Sequence, residues 1–455
     1  MMTNSQHGVD WKQLARIPGF RWFFLGMLVS LFGTGMNYAA VTWYILGVTH
    51  STVSVSWIVI LVTLPGLFVP PFGGVLIDRV DRRYLAMAFD FARSILVLGT
   101  AALALTHRIT LVEIYFMVLL LGAGFAVYWS TANSLVQELI PASQIVTANA
   151  AVLVAVQGGM MAAGAAVGFI YEHAGIGGIL AIDGATYCIS GLCLLAVRHG
   201  WCPPQQSIVS GLAPASTLPL QSRRNDSSIE GGARETLPGP AGISLRLNFS
   251  ADLAEGLHYL REQPLVFALG LTYACMMAGV LSANVLVVAL AKDVLAAGPR
   301  GYGFIESGWA VGAVIGGLAA FAISRRHPLG VLVAALAILS IGHTLFPYAR
   351  WLWAAVAMNA LFGACRALGG VLTQSALMTA VPRRLMGRTL SAFSVIATIL
   401  QVVMSFLLGW FAEHSSLTLA FFLLGLLYAL AVAAALRARS LASPGHAVPL
   451  QSPAP

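Results

Sequence analysis

Charge is the scarcest property of this chain. Of its 455 residues only 9% are Asp, Glu, Lys or Arg, whereas 58% are hydrophobic. A water-soluble domain needs about a quarter of its residues charged to cover its surface, so the composition excludes an ordinary soluble globular protein. Cysteine is also sparse. Cys188, Cys193, Cys202, Cys275 and Cys365 show no metal-binding spacing and read as small buried apolar residues. The sequence has no Gly-x-x-x-x-Gly-Lys loop, which argues against ATP hydrolysis by this chain itself. It also has no nucleophile–base or metal-ligand constellation, so neither an enzyme, a cofactor nor a metal is expected. No cleavable signal peptide is expected either. The first 19 residues are polar, and the apolar run after them is too long for a signal segment.

What the chain does have is length of apolar sequence. Twelve stretches lie near 20–47, 54–77, 84–106, 110–136, 146–170, 176–197, 264–291, 302–323, 329–348, 351–377, 388–411 and 417–437. A helix rises about 1.5 Å per residue, so about 20 apolar residues cross a bilayer core. Backbone groups in lipid must bond internally, and these runs are too long for barrel strands, so helices are expected. The predicted fold class is therefore an all-α membrane protein of twelve transmembrane helices.

Basic residues orient the spans. Nineteen of the 25 Lys and Arg fall before the first span or in alternate connections, at Lys12, Arg16, Arg79, Arg82, Arg83 and Arg325 among others. The opposite connections hold only Arg108, Lys292, Arg300 and Arg350. Positive charge stays on the cytoplasmic side, which predicts that both termini are cytoplasmic. The net charge of +8 then reflects this bias and attraction to anionic lipid, not nucleic-acid binding.

The longest break in hydrophobicity, 198–263, divides the chain. We expect a six-helix bundle over 1–197, a partly disordered cytoplasmic linker over 198–249, and an amphipathic helix with a second six-helix bundle over 250–440. A disordered tail follows over 441–455. Ser250 would cap the amphipathic helix, which places Leu253, Leu257 and Leu260 on one face. The two halves repeat weakly. Gly73-Gly74 followed by Asp81-Arg82-Arg83 is echoed by Gly316-Gly317 followed by Ser324-Arg325-Arg326. Such repeats point to a transporter built from two related bundles.

The segment GGVLIDRVDRR, 73–83, resembles the loop signature of the major facilitator superfamily. Gly74, Asp78, Arg79, Arg82 and Arg83 match it, while Asp81 stands where the family usually has Gly. The resemblance implies a two-bundle fold and a conformational latch formed by this loop. SADLAEGLHYLREQPLV, 250–266, is similar to the entry to the seventh helix in the drug-antiporter branch with the macrolide and enterobactin exporters. Two departures weigh against that branch's usual proton relay. Val118 stands where many antiporters carry Arg, and the run from Gly164 to Gly168 lacks their Pro.

Ionisable residues inside spans are functional candidates. Asp90 and Arg93 share a helix face and read as an extension of the latch. Glu113 reads as solvated near the surface. Asp183 and Glu306 lie within about 10 Å of the outer surface by helix rise and are proton-coupling candidates. Arg366 lies mid-span, where a lone cation needs a partner or an aqueous cavity, and leans towards an anionic or acceptor-rich substrate. The family's first, fourth, seventh and tenth helices line its central cavity. Carried over, this places Asn37, Tyr38, Trp43, Tyr128, Trp129, Asn133, Tyr273, Met276, Met277, Asn284, Asn359, Arg366 and Gln374 in the substrate cavity. Gly164 and Gly168 on the fifth span and Gly308, Gly312 and Gly316 on the eighth are expected to face each other across the bundles.

The resemblance implies a monomeric secondary transporter of the bacterial inner membrane, with membrane lipid around it. It would export a small amphiphilic molecule, such as a drug or siderophore, by alternating access and proton antiport. The alternatives are a lipid or lysophospholipid flippase and a transport-inactive sensor or scaffold. The latch reading has a direct test. Asp78→Asn is expected to express near normally and to retain substrate affinity while transport falls strongly. Full transport by this variant in a flux assay overturns the latch.

Overall fold

The computed structural model describes residues 14, 16–68, 80–140, 144–197, 260, 262–323, 328–382 and 385–442. The described elements are all helical. Gly74, Asp78 and Arg79, the linker, most of the predicted amphipathic helix and almost all of the tail lie outside the described residues.

Local signals account for where the helices begin and end. Helix α1 (Pro18–Thr49) has Pro in its first turn and stops at His50, which takes a left-handed conformation with φ 50. Ser51 caps α2 (Thr52–Thr63) by accepting a bond from the Ser54 amide. Asp81 caps α3 (Arg82–Leu105) in the same way. Thr110 and Glu113 form a capping box at the start of α4 (Leu111–Leu139), so Glu113 serves helix initiation at an exposed edge. The helix Ile145–Ala196 bends at Gly175, where φ is 62 and ψ is −166. A side chain would resist that conformation, and glycine permits it. The bend divides 52 residues into two arms, α5 (145–174) and α6 (176–196).

In the second half, α7 (Pro264–Ala289) runs into a π turn, Leu290–Val294. There follow α8 (Gly298–Ile323), α9 (Pro328–Leu345), α10 (Leu352–Ala380), α11 (Met386–His414) and α12 (Leu417–Leu441). Ten described helical stretches are long and apolar enough to cross a membrane, α5–α6 counting as one and α2 being shorter. The bend at Gly175 and the addition of α2 restore the twelve crossings that the sequence predicts. Outward-facing residues are apolar, Ile95 and Val112 each being 74% exposed, as lipid solvent requires.

Small residues bring the helices close. On α6, Gly177, Gly184 and Gly191 meet Leu105, Leu98 and Phe91 of α3, a seven-residue step. On α8, Gly308, Gly312 and Gly316 lie against Val356, Ala360 and Ala364 of α10. This corrects the expected seam. Gly164 and Gly168 of α5 do pack on α8, but against Ser307, Gly303 and Arg300. Helix α8 carries small residues on two faces, and spacing along one helix does not say which neighbour each face meets.

The halves join at the end of the bundle away from the chain termini, here called the distal end. Glu413 of α11 accepts from the Ser51 hydroxyl at 2.5 Å and the Val53 amide at 3.0 Å, so it caps α2 from the other half. Glu172 pairs with Arg300 at 2.6 Å, and Lys292 donates to the Leu46 carbonyl at 2.8 Å. Deeper in, Thr52 donates to the Gly409 carbonyl and Ser56 to the Ser405 carbonyl, each at 2.7 Å.

A Cβ at Gly312 would sit 1.7 Å from the Ala360 carbonyl oxygen, a backbone atom that cannot rotate away. Gly312→Leu is therefore expected to lower the thermal unfolding temperature, with an overpacking penalty of about 1–3 kcal/mol or more. A cysteine pair at 164 and 303 should crosslink between the halves, while a pair at 164 and 312 should not. The reverse crosslinking pattern overturns this packing order.

Candidate functional site

Between the halves lies a cavity of about 470 Å³, within the range of small-molecule sites. Its wall is mostly apolar, with Leu31, Ile58, Val62, Phe125 and Met160 among its residues. The polar groups in it are few: Thr34, Asn37 and Tyr38 of α1, Thr63, Gln157 of α5, Tyr187 of α6, Asn284 of α7, Glu306 of α8 and Gln401 of α11. Gln401 donates to Thr63 at 2.6 Å, which ties α11 to the α2 segment at the cavity edge.

Behind the first-half wall is a buried polar network. Asp90 and Arg93 of α3 form an ion pair, and Ser190 donates to the other oxygen of Asp90 at 2.7 Å. The Arg93 guanidinium lies 4.4 Å from the ring centres of both Tyr128 and Tyr187, a double cation–π contact. Asp183 is fully buried and lies within electrostatic range of Arg93. It accepts a bond from Asn37 at 2.6 Å. Tyr187 and Thr34 share a 2.9 Å hydrogen bond. Asn37, Thr34 and Tyr187 all reach the cavity wall. One arginine thus serves two carboxylates, and cavity-lining groups touch the outer members.

Asp90 and Arg93 therefore belong with Asp183. The loop arginines do something else. Arg82 pairs with Glu138 of α4, and Arg83 donates to the Leu194 carbonyl at 2.8 Å and the Leu195 carbonyl at 2.5 Å, near the end of α6. In the described residues these bonds fasten α3 to its own half.

Glu306 lies on the opposite wall. One of its carboxylate oxygens is buried without a hydrogen-bond partner among the described residues, and so is the hydroxyl of Tyr302, while the Tyr38 hydroxyl has only Asn284 beside it, without a well-formed bond. Tyr302 is 2% exposed, stacks on Trp43 at 5.7 Å and lies within electrostatic range of Tyr38 and Glu306. Arg366 does not line the cavity. It lies in an adjoining pocket of about 20 Å³ with His343, Asn359 and Tyr428, which meets the cavity at Val280, Asn284 and Trp309. There its Nη2 donates to the Met277 sulfur at 3.2 Å, and its Nε has no hydrogen-bond partner among the described residues.

The remaining expected cavity residues divide. Asn37, Tyr38 and Asn284 line it. Tyr128 is buried under Arg93, and Trp129 stacks on Phe125 at 5.8 Å. Tyr273 packs beside the base of α11, and Asn133 and Gln374 are exposed elsewhere. Sequence reasoning missed the cavity residues Tyr187, Trp309 and Gln401, which lie on the sixth, eighth and eleventh helices. Their polar atoms within otherwise apolar runs were the available signal.

Two bundles of apolar helices thus enclose a central cavity. The sequence pattern of the Major Facilitator Superfamily matches residues 23–291, and the chain belongs to that superfamily. It is 29% identical over 180 residues to the uncharacterized MFS-type transporter YkuC of Bacillus subtilis (strain 168). That match covers 38% of this chain and 40% of the relative, so it spans less than half of the relative's length. Two solved structures share the fold at 12% identity. The nucleoside transporter NupG superposes with a TM-score of 0.67 over 92% of this chain and 99% of its own. The POT family transporter PepTSo does so with 0.65 over 93% and 98%.

Removing one member of a buried ion pair strands the other, at a cost of about 3–5 kcal/mol. Arg93→Leu is thus expected to destabilise the protein strongly in a thermal melt. Arg93→Leu combined with Asp90→Leu should recover much of the loss, because no buried charge of that pair is then orphaned. A double variant no more stable than the single one overturns the pairing as the network's anchor.

Proposed function

We propose that this chain is a secondary active transporter that exports a small amphiphilic molecule by alternating access. The observation that carries this reading is the cavity itself. It lies between the two halves, is mostly apolar with a few polar groups, and has the Glu413, Glu172–Arg300 and Lys292 ties between the halves at the distal end. With the termini in the cytoplasm, as the basic residues predict, the distal end faces outside. The arrangement then corresponds to a state closed to the exterior. Segment 198–249 would act as the tether between the two bundles.

Proton antiport is the energy source we assign. Asp183 is the candidate carrier, since its Asn37 contact links it to the cavity and Arg93 is shared with Asp90. A guest that pulls Asn37 away would leave Asp183 without its hydrogen-bond donor, which ties occupancy of the cavity to the charge on Asp183. The names of the structural neighbours offer nucleosides and peptides as substrate classes. The predominantly apolar wall supports an amphiphile better than either.

Two measurements test the reading. In everted membrane vesicles, accumulation of substrate should collapse on addition of a protonophore. In proteoliposomes, Asp183→Asn should keep substrate exchange at equilibrium but lose accumulation driven by a pH gradient. A variant that still accumulates substrate against its gradient removes Asp183 from coupling. A wild-type protein that moves nothing leaves the sensor or scaffold reading in its place.

A further inference from the structure

We infer that the cavity recognises an organic cation carried on an apolar body, and that Glu306 and Tyr38 hold its charged head, backed by Tyr302. The inference rests on the cavity being the substrate site. Two residues of its wall, Glu306 and Tyr38, each hold a buried polar atom without a well-formed hydrogen bond among the described residues, and the unpartnered Tyr302 hydroxyl lies within electrostatic range of both. All three are buried, and an unmet buried polar group is costly. The Glu306 carboxylate and the Tyr38 hydroxyl on the wall both accept hydrogen bonds, so a head with several N–H donors satisfies them together, whereas an anion would meet the carboxylate with repulsion.

Among the described residues, no cation fills that role. The nearest basic residues along α7 and α8 are engaged elsewhere, Lys292 with the Leu46 carbonyl and Arg300 with Glu172. Arg366 is confined to the adjoining pocket, whose volume of about 20 Å³ accommodates about one water and no substrate group of any size. Its exclusion from the main wall removes the basis for an anionic substrate. The surroundings of Glu306 also favour a cation. The Trp43–Tyr302 stack and Trp309 bring aromatic rings to its vicinity, and ring faces attract positive charge. The rest of the wall is apolar and suits a hydrocarbon body. The seam that holds Glu306 in place is tight. Ser307, its neighbour, donates to the Met161 carbonyl of α5 at 3.3 Å.

The test uses one fluorescent body with three end groups: dansylcadaverine, which ends in an ammonium, its neutral N-acetyl derivative, and a carboxylate-ended counterpart. Each is titrated into the purified full-length protein in detergent. Wild type should bind the amine tighter than the neutral form by a factor on the order of 30, the loss that follows removal of one member of a buried charge pair. It should bind the carboxylate weakest. Glu306→Gln should erase the preference for the amine, Glu306→Asp should keep part of it, and Tyr302→Phe should weaken the amine alone. Equal binding of amine and neutral form, retention of the preference in Glu306→Gln, or no binding of the amine to wild type overturns the inference. If Glu306→Gln does not fold, the double variant Tyr38→Phe, Tyr302→Phe decides on the same criterion. Flux of the amine into proteoliposomes separates the two readings. Charge-selective binding without flux overturns transport and leaves this assignment, while flux without charge preference does the opposite.

Discussion

A charge inside a lipid-embedded helix bundle must find a partner or water, because hydrocarbon offers neither. That constraint organises this molecule. It explains why Asp90, Arg93 and Asp183 gather on the shared interior of α1, α3, α4 and α6, and why Arg93 is clasped by two tyrosine rings. It also explains why Arg366 leans on a methionine sulfur among polar side chains of a small pocket. Glu306 is the exception. Its buried oxygen has no partner among the described residues, and it stands at the cavity wall, where a guest or water can reach it.

The packing that surrounds these charges is governed by close approach. Without a hydrophobic force between helices in lipid, contact area and hydrogen bonds hold them together. Glycines on α6 and α8 let α3 and α10 sit against bare backbone. Rigid pairs of this kind give each half an inflexible frame. Between the halves, the ties at the distal end are of another sort: carboxylate caps, an ion pair and side-chain bonds to carbonyls. Such contacts near a surface are individually weak. They are suited to being made and broken in a transport cycle, whereas the glycine seam within a half is not.

The sequence by itself determined a good deal. The number of crossings and the shared helix face of Asp90 and Arg93 follow from apolar length and a three-residue spacing. The loop at 73–83 pointed to the superfamily to which the chain belongs. These are local properties of a chain in lipid, and local rules fix them. Tertiary structure alone decided the rest. Helical periodicity says which residues share a face but not which neighbour that face meets. So the small residues of α8 turned to α10 as well as to α5, Tyr128 turned to Arg93, and Arg366 turned into a side pocket. Asp183 met Asn37 across 146 residues of sequence, and Glu306 came within electrostatic range of two tyrosines from different halves. Those meetings depend on how each helix is rotated and seated within the bundle, and that is set by the packing of all twelve together.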